Sequence, residues 1–541
     1  MKLFYSILTI LVLFCSCKED QDDPLNVFRL ESASLDGRTL TEQTSVIRSN
    51  SVITLRFNQA VEKTSFENAV QFIDQSSSLK MPLHVSLLDN DHTIQIQPTA
   101  LTSFSQYKLV VDKTAQSFDG VNIISPLNYT FRTALDSTDK FERISTDELL
   151  TKVQQQTFKY FWDHAHASYG MIRERNSSGE TVTTGGTGFG VMAILTGIER
   201  NFITREQGLE RTKKIVSFLK MADKYHGAFA HWYNGSTGKT QPFSEKDNGA
   251  DLVETALLFQ GLLTARTYFN DAALTADIST LYNAVEWSFF QNGQQALLWH
   301  WSPNFQWEIN LKISGWNESL IVYILAAGSP THGIDASVYE QGWANNGNMR
   351  NGNTYHGIQL PLGPAGGGPL FLSQYSFLGL NPNGLQDQYA SYEQQVKNHS
   401  LINRAYCIAN PQGFSGYSAD CWGLTASDDI NGYRVHSPTE DNGVITPTAA
   451  LSSIPYSTAE SLQALEFFYY KLGDKIWGEY GFKDAFSLHE PWFADSYLAI
   501  DQGPIIIGIE NHRSGLLWKN FMQTPEIKSA LQKLKFTSPN L

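Results

Sequence analysis

The hydrophobic pattern of this chain changes period once, near residue 136, and that change fixes what each part can fold into. Before it, the runs Val52-Ile53-Thr54-Leu55-Arg56-Phe57, Thr93-Ile94-Gln95-Ile96-Gln97, Tyr107-Lys108-Leu109-Val110-Val111 and Tyr129-Thr130-Phe131-Arg132-Thr133 alternate in period two. Successive side chains of a strand point to opposite faces, so this pattern with polar turns between predicts an antiparallel β-sandwich of about 100 residues, over 27–135. Residues 136–146, rich in Asp, Ser and Thr, read as a linker. From 147 to 541 the period is helical, with helices expected near 147–167, 187–200, 204–224, 249–269, 272–291, 317–327, 370–379, 385–404, 457–472, 502–512 and 523–535. Ser457-Thr458-Ala459-Glu460 has the spacing of a capping box and marks one of these starts. About twelve helices, alternately outer and inner, suit an α/α toroid whose inner helices run the same way and gather their N-termini at one end. Two domains are also what 541 residues, 42% of them hydrophobic, call for.

The formal charge of −14 argues against nucleic acid, whose phosphates demand basic patches, and favours a neutral or cationic ligand. Residues 1–26 read as a leader. Leu3 to Phe14 is an apolar run behind Lys2, too short for a membrane span, and Phe14-Cys15-Ser16-Cys17 resembles a bacterial lipobox. That would make Cys17 a lipidated first residue, followed by an acidic tether, Lys18 to Asp23, similar to those of surface-exported lipoproteins of Bacteroidota. The expectation is an outer-membrane lipoprotein facing the cell surface or periplasm; a plain cleaved signal peptide is the competing account. Of the remaining cysteines, Cys407 and Cys421 are either bridged or two buried thiols. No zinc-type spacing is present, so neither a metal nor a cofactor is expected.

Three apolar helices begin with acids: Asp247, Asp251 and Glu254 before and within one, Glu318 at the second, Asp501 at the third. At spacings i, i+4 and i+7 the first three would share one helical stripe, which continues into Leu258 and Leu262. Capping explains any single acid, because unpaired N–H groups and the helix dipole favour a carboxylate there. Three such starts on buried helices point instead to one carboxylate-lined pocket. Gly185-Gly186-Thr187-Gly188-Phe189-Gly190 lacks the preceding strand and following Lys of a phosphate loop, and no Gly-x-Ser-x-Gly elbow exists. Trp232, His300, Trp301, Trp316, Tyr355, His356, Trp422, His489 and Trp492 lie among Gly, Asn and Ser in expected loops, where rings serve as stacking faces for sugars. Paired carboxylates beside such rings are the ingredients of glycoside cleavage.

The run Gly315-Trp316-Asn317-Glu318-Ser319 with Gly328-Ser329-Pro330-Thr331-His332, the Asp247/Asp251/Glu254 segment and Asp501-Gln502-Gly503-Pro504 together resemble the glucoamylase-like (α/α)6 proteins, nearest to glycoside hydrolase family 144, the β-1,2-glucanases. The sandwich resembles bacterial immunoglobulin-like modules. The first resemblance implies an (α/α)6 toroid over about residues 147 to 538, inverting hydrolysis of β-1,2-glucan or its oligosaccharides, no cofactor, and a pocket holding acids at Asp247, Asp251, Glu254 and Glu318. Glu318 reads as the general acid, with Trp316 as a water-excluding wall and Asn317 as its orienting amide. Asp251, Asp247 and Asp501 are the candidate bases. The alternatives are a glucoamylase-type hydrolase of α-glucan and a non-catalytic glycan-binding lipoprotein.

Overall fold

The computed structural model describes residues 27–41 and 44–541; the leader and Cys17 lie outside the described residues. The chain divides into two compact units, Met1–Asp136 and Ser137–Leu541.

The first unit contains two five-stranded sheets. One orders Arg38–Thr39, Leu30–Leu35, Ile53–Phe57, Thr93–Pro98 and Leu83–Leu88; the other orders Ser45–Ile47, Leu127–Thr133, Gln106–Val111, Val70–Asp74 and Lys80–Met81. All pairs are antiparallel except Ser45–Ile47 on Leu127–Thr133. Alternation does its work here: Ile53, Leu55 and Phe57 are buried while Thr54 and Arg56 turn outward. Leu55, Ile94 and Ile96 pack with Phe72, Tyr107, Leu109 and Phe131 in one core, where each buried large side chain contributes about 1.5–3 kcal/mol. Among its described residues no acid–His cluster of the kind found in the second unit forms.

In the second unit the helices Thr184–Glu199, Leu252–Phe269, Leu320–Gly328 and Ala499–Arg513 are apolar on nearly every face and buried. Amphipathic helices, among them Thr146–Trp162, Arg205–Met221, Ala272–Asn283 and Pro525–Lys533, cover them. Ion pairs fasten the C-terminal ends of buried helices: the Arg200 guanidinium donates to both oxygens of Glu510 at 2.8 and 2.6 Å, and that of Arg266 to both of Glu526 at 2.9 and 2.6 Å. The Gly-rich run Gly185–Gly190 lies inside the Thr184–Glu199 helix. Its purpose is close packing: a Cβ on Gly188 would stand 2.2 Å from the Leu257 carbonyl oxygen, and one on Gly261 would stand 2.1 Å from that of Gly188.

Several local expectations are corrected. Ser457 makes no cap, because its hydroxyl is drawn 2.6 Å to Ser400; the boxes that form are Ser145/Glu148 and Thr204/Gln207. The expected 370–379 helix is two 3-10 turns, Leu370–Ser373 and Tyr375–Leu378. Within the stretch read as a linker, the Lys140 N–H donates to the Tyr470 carbonyl at 2.7 Å and the Phe141 ring lies 4.6 Å from that of Tyr469. Cys407 and Cys421 are free, buried thiols. Among the described residues no helix is long and apolar enough to cross a membrane.

Candidate active site

The starts of the buried helices meet at a cavity of about 450 Å³. Thr183, Asp251 and Leu498, which cap three of them, line it, together with Glu254, Glu318 and the rings of Trp232, Phe243, Trp299, Phe371, Tyr375 and Tyr433. The convergence expected for Asp251, Glu254 and Glu318 is present. Its local basis differs from the expected stripe, because the helix begins at Leu252 and leaves Asp247 and Asp251 outside it. Asp251 is both cap and cavity wall: its Oδ1 accepts the N–H groups of Val253 and Glu254, each at 2.9 Å.

Short strand pairings set the partners. Thr183 pairs with Trp232, and Ala250-Asp251 pairs with His300-Trp301, so two imidazoles are delivered to the acids. His231 Nδ1 lies 3.1 Å from Asp251 Oδ2, and its Nε2 lies 3.9 Å from Glu254 Oε1. His300 Nε2 is 3.3 Å from Asp247 and 3.7 Å from Asp251. Glu254 Oε2 accepts the Gly185 N–H at 2.6 Å.

These contacts divide the charge. Burial opposes a cation at His231, but the Glu254 charge, the Asp251 hydrogen bond and the Asp247 charge outweigh it and lift its pKa to about 9. Burial would also raise Asp251, yet the His231 bond and charge hold its carboxyl below its ordinary value. Burial raises Glu254. At Glu318 burial dominates, the Asp251 and Glu254 charges add to it, and the pKa rises to about 7. Glu318 therefore holds its proton to a higher pH than Asp251, whose carboxyl ionises first.

Two further acids, Asp484 and Asp501, are buried outside this lining; burial first, with neighbouring carboxylates adding to it, pushes Asp484 to about 7 and Asp501 well above its ordinary value. Asp484 Oδ2 also accepts the Asp428 N–H at 2.7 Å, and Arg175 bridges Glu174 at 3.0 Å and Asp428 at 3.2 Å.

The other sequence candidates separate. Trp232 lines the cavity, with Phe243 against it at 4.8 Å between ring centres. His300 and Asp247 stand behind Asp251, outside the lining, as does Asp501. Trp301 packs on His226 and Phe289, and Trp316 on Trp343, Phe377 and Tyr392; neither is a cavity wall. Asn317 uses its Oδ1 to accept the Ser319 N–H at 2.9 Å. Trp422 is fully buried, Tyr355 and His356 sit on a small hairpin, and His489 rests on Phe414, all away from this cavity. Trp492 lines a second chamber. Some of these aromatics are buried, as Trp316 and Trp422 are, while His356 is exposed, and Gly/Asn/Ser surroundings do not disclose which. The sequence reading, which took Trp299 with His300 and Trp301 as one aromatic loop, missed His231, Phe243, Tyr375, Tyr433, Glu174 and Arg175. Of these, His231 alone carried a signal, being adjacent to Trp232.

His231, Asp247 and Asp251 offer donor atoms within 4.8 Å of one another, the one such group among the described residues. The proton on His231 already balances Asp251 and Glu254 there.

Residues 310–525 match the family described as "Putative glucoamylase", and residues 36–133 match the bacterial Ig-like domain. An exo β-1,2-glucooligosaccharide sophorohydrolase of Parabacteroides distasonis is 44% identical over 420 residues, 72% of this chain and 58% of that relative's length. The structure of an endo-β-1,2-glucanase from Chitinophaga pinensis, in complex with sophorotriose and glucose, is 52% identical, with 74% of this chain and 100% of that one covered and a TM-score of 0.73. That of a β-1,2-glucanase from Parabacteroides distasonis is 35% identical over 94% of this chain and 74% of that one, with a TM-score of 0.71. With relatives this similar spanned over most or all of their length, the chain belongs to the glucoamylase-like proteins of the β-1,2-glucanase type, glycoside hydrolase family 144, with a bacterial Ig-like domain ahead of the helical one.

Proposed function

We propose that the helical unit hydrolyses β-1,2-glucan or its oligosaccharides by an inverting general acid/base mechanism, in a closed (α/α)6 arrangement of helices. The observation that carries this reading is the cavity shared by protonated Glu318 and ionised Asp251, walled by aromatic rings. The names of the relatives supply the linkage.

The Glu318 carboxyl gives its proton to the glycosidic oxygen as the bond from that oxygen to the anomeric carbon breaks. A water adds to the opposite face of that carbon and loses its proton to a carboxylate, leaving the inverted anomer. Two acids meet the demands of a base differently. Asp251, its carboxyl held below the ordinary value, faces the cavity; Asp501 lies outside the lining, and its burial beside Asp484 raises its carboxyl, which disfavours the ionised form a base needs. His231, cationic between Asp251 and Glu254, keeps the carboxylate side charged while Glu318 stays neutral.

Reducing-sugar release from a panel of β- and α-glucans, with proton NMR of the first anomer formed, tests the reading. Release from β-1,2-glucan with inversion supports it; release from α-glucan alone, or binding without release, overturns it. We also propose export as a lipoprotein acylated at Cys17, for which Cys17→Ser should release the protein from membranes.

A further inference from the structure

Arg175 and Tyr433 each line two spaces at once. One face of the partition they form looks onto the carboxylate cavity, the other onto a more open chamber of about 690 Å³. The partition is thin, being built on the hairpin Ala426–Asp429 and Gly432–Val435, with Asp428 opposite Tyr433. The strand Gly432–Val435 is exposed along its length, and Tyr433 is 50% exposed.

The chamber's lining restricts its occupant. Trp492 and Phe493 bring aromatic faces, and Trp492 stacks on no other ring among the described residues. Around them stand the acceptors Asp428, Asp429 and Asp495. The single cation, Arg175, is matched by Glu174 and Asp428, so an anion such as phosphate would meet an excess of carboxylate. Asp429 spends its oxygens on the Asn431 N–H and the Asn442 amide, and Asp428 on Arg175 and Ser496, which leaves a poor cage for a cation. Flat rings beside fixed hydrogen-bond acceptors suit a neutral polyhydroxylated ligand, whose hydroxyls donate to carboxylates.

Resting on the hydrolase reading above, we propose that this second chamber is a distal glucosyl subsite. A chain cleaved beside Glu318 passes between Tyr433 and Arg175, and its further sugars lie on Trp492. The enzyme then senses chain length: oligosaccharides too short to pass Tyr433 use the first cavity alone, while longer ones gain contacts that do not reach the scissile bond. Such contacts are the same in ground and transition state, so their loss appears in KM and not in kcat.

The test is a size series of β-1,2-gluco-oligosaccharides, assayed by steady-state kinetics with the full chain and by calorimetric binding to its Glu318→Gln form, each with and without Trp492→Ala. KM and Kd should fall in a step once the chain is long enough. Trp492→Ala should erase that step, weakening long chains about tenfold, the size of one aromatic contact of about 1.4 kcal/mol. Trp492→Phe should restore part of it. Tyr433→Ala, on the exposed strand, should blunt the same step and guards against a folding defect at Trp492. Affinity that ignores chain length, or equal losses for the shortest and longest chains, would overturn the subsite while leaving the hydrolase intact. Length-dependent binding lost in Trp492→Ala, without turnover by the unsubstituted chain, would keep the subsite and overturn the hydrolase.

Discussion

Burial of one carboxyl has opposite consequences for chemistry and for stability at Glu318. Its pKa stands at about 7 against an ordinary 4.5, so the side chain is a proton donor up to neutrality, and turnover should decline as pH rises through about 7. The sign for stability follows from the same shift. A folded-state pKa raised above the unfolded one favours the native state below the unfolded value, and that advantage is lost as pH climbs through the folded one. Glu318→Gln removes the ionisation. It should lower kcat by about 10²–10⁴-fold, yet melt higher than the parent at pH 8, by on the order of 3 kcal/mol, with the gap closing by about pH 4. Calorimetry across pH, beside a pH–rate profile, checks both halves. At the aromatics, Trp422→Ala should cost about 3–5 kcal/mol because the ring is wholly enclosed. Phe243→Ala, at an exposed ring stacked 4.3 Å from His231, should raise KM with little change in Tm. Thermal melts and initial rates on the two variants decide this pair.

Helix starts, rather than helix faces, assemble the site, and this explains how far the sequence could be followed. That Asp251, Glu254 and Glu318 share a cavity was legible, since a charge at the end of an apolar helix has few places to go. The spacing argument that linked Asp247 to Asp251 was not sound, because a cap breaks helical periodicity at the very residue it marks. His231 had only its neighbour Trp232 as a signal; Phe243 and Tyr433 reach the cavity beside and on short hairpins whose pairing depends on tertiary contacts, and nothing in their neighbours' sequence foretells it. The alternating strands and most buried helices were readable from period alone, while the 3-10 turns after Pro369 were not. The geometry of elements also predicts a sensitive point. Gly188→Ala should drive the Thr184–Glu199 and Leu252–Phe269 helices apart and so misplace Glu254, whose oxygen holds the Gly185 N–H. A loss of about 1–3 kcal/mol in denaturant melts, with a fall in kcat, is the expected result.

Across the whole molecule, the boundary at Asp136 and Ser137 divides the chain into two compact units, each with a buried cluster of its own. A chain beginning at Ser137 should keep the kcat and Tm of the helical unit. One beginning at Ser145 should melt several degrees lower, because it lacks Phe141 against Tyr469 and the backbone bond from Lys140 to Tyr470. Differential scanning calorimetry of the two chains tests this. The pairing of Arg200 with Glu510, 310 positions apart, carries a different consequence. The cavity takes its lining from Glu174 at one end to Ile500 at the other, so a growing chain holds the carboxylates long before it holds the helix that closes over them. Without the Ala499–Arg513 helix, Leu498 and Ile500 leave the lining and the burial that shifts those acids is lessened. Catalytic competence thus waits on the docking of this helix, as a property that no fragment lacking it possesses.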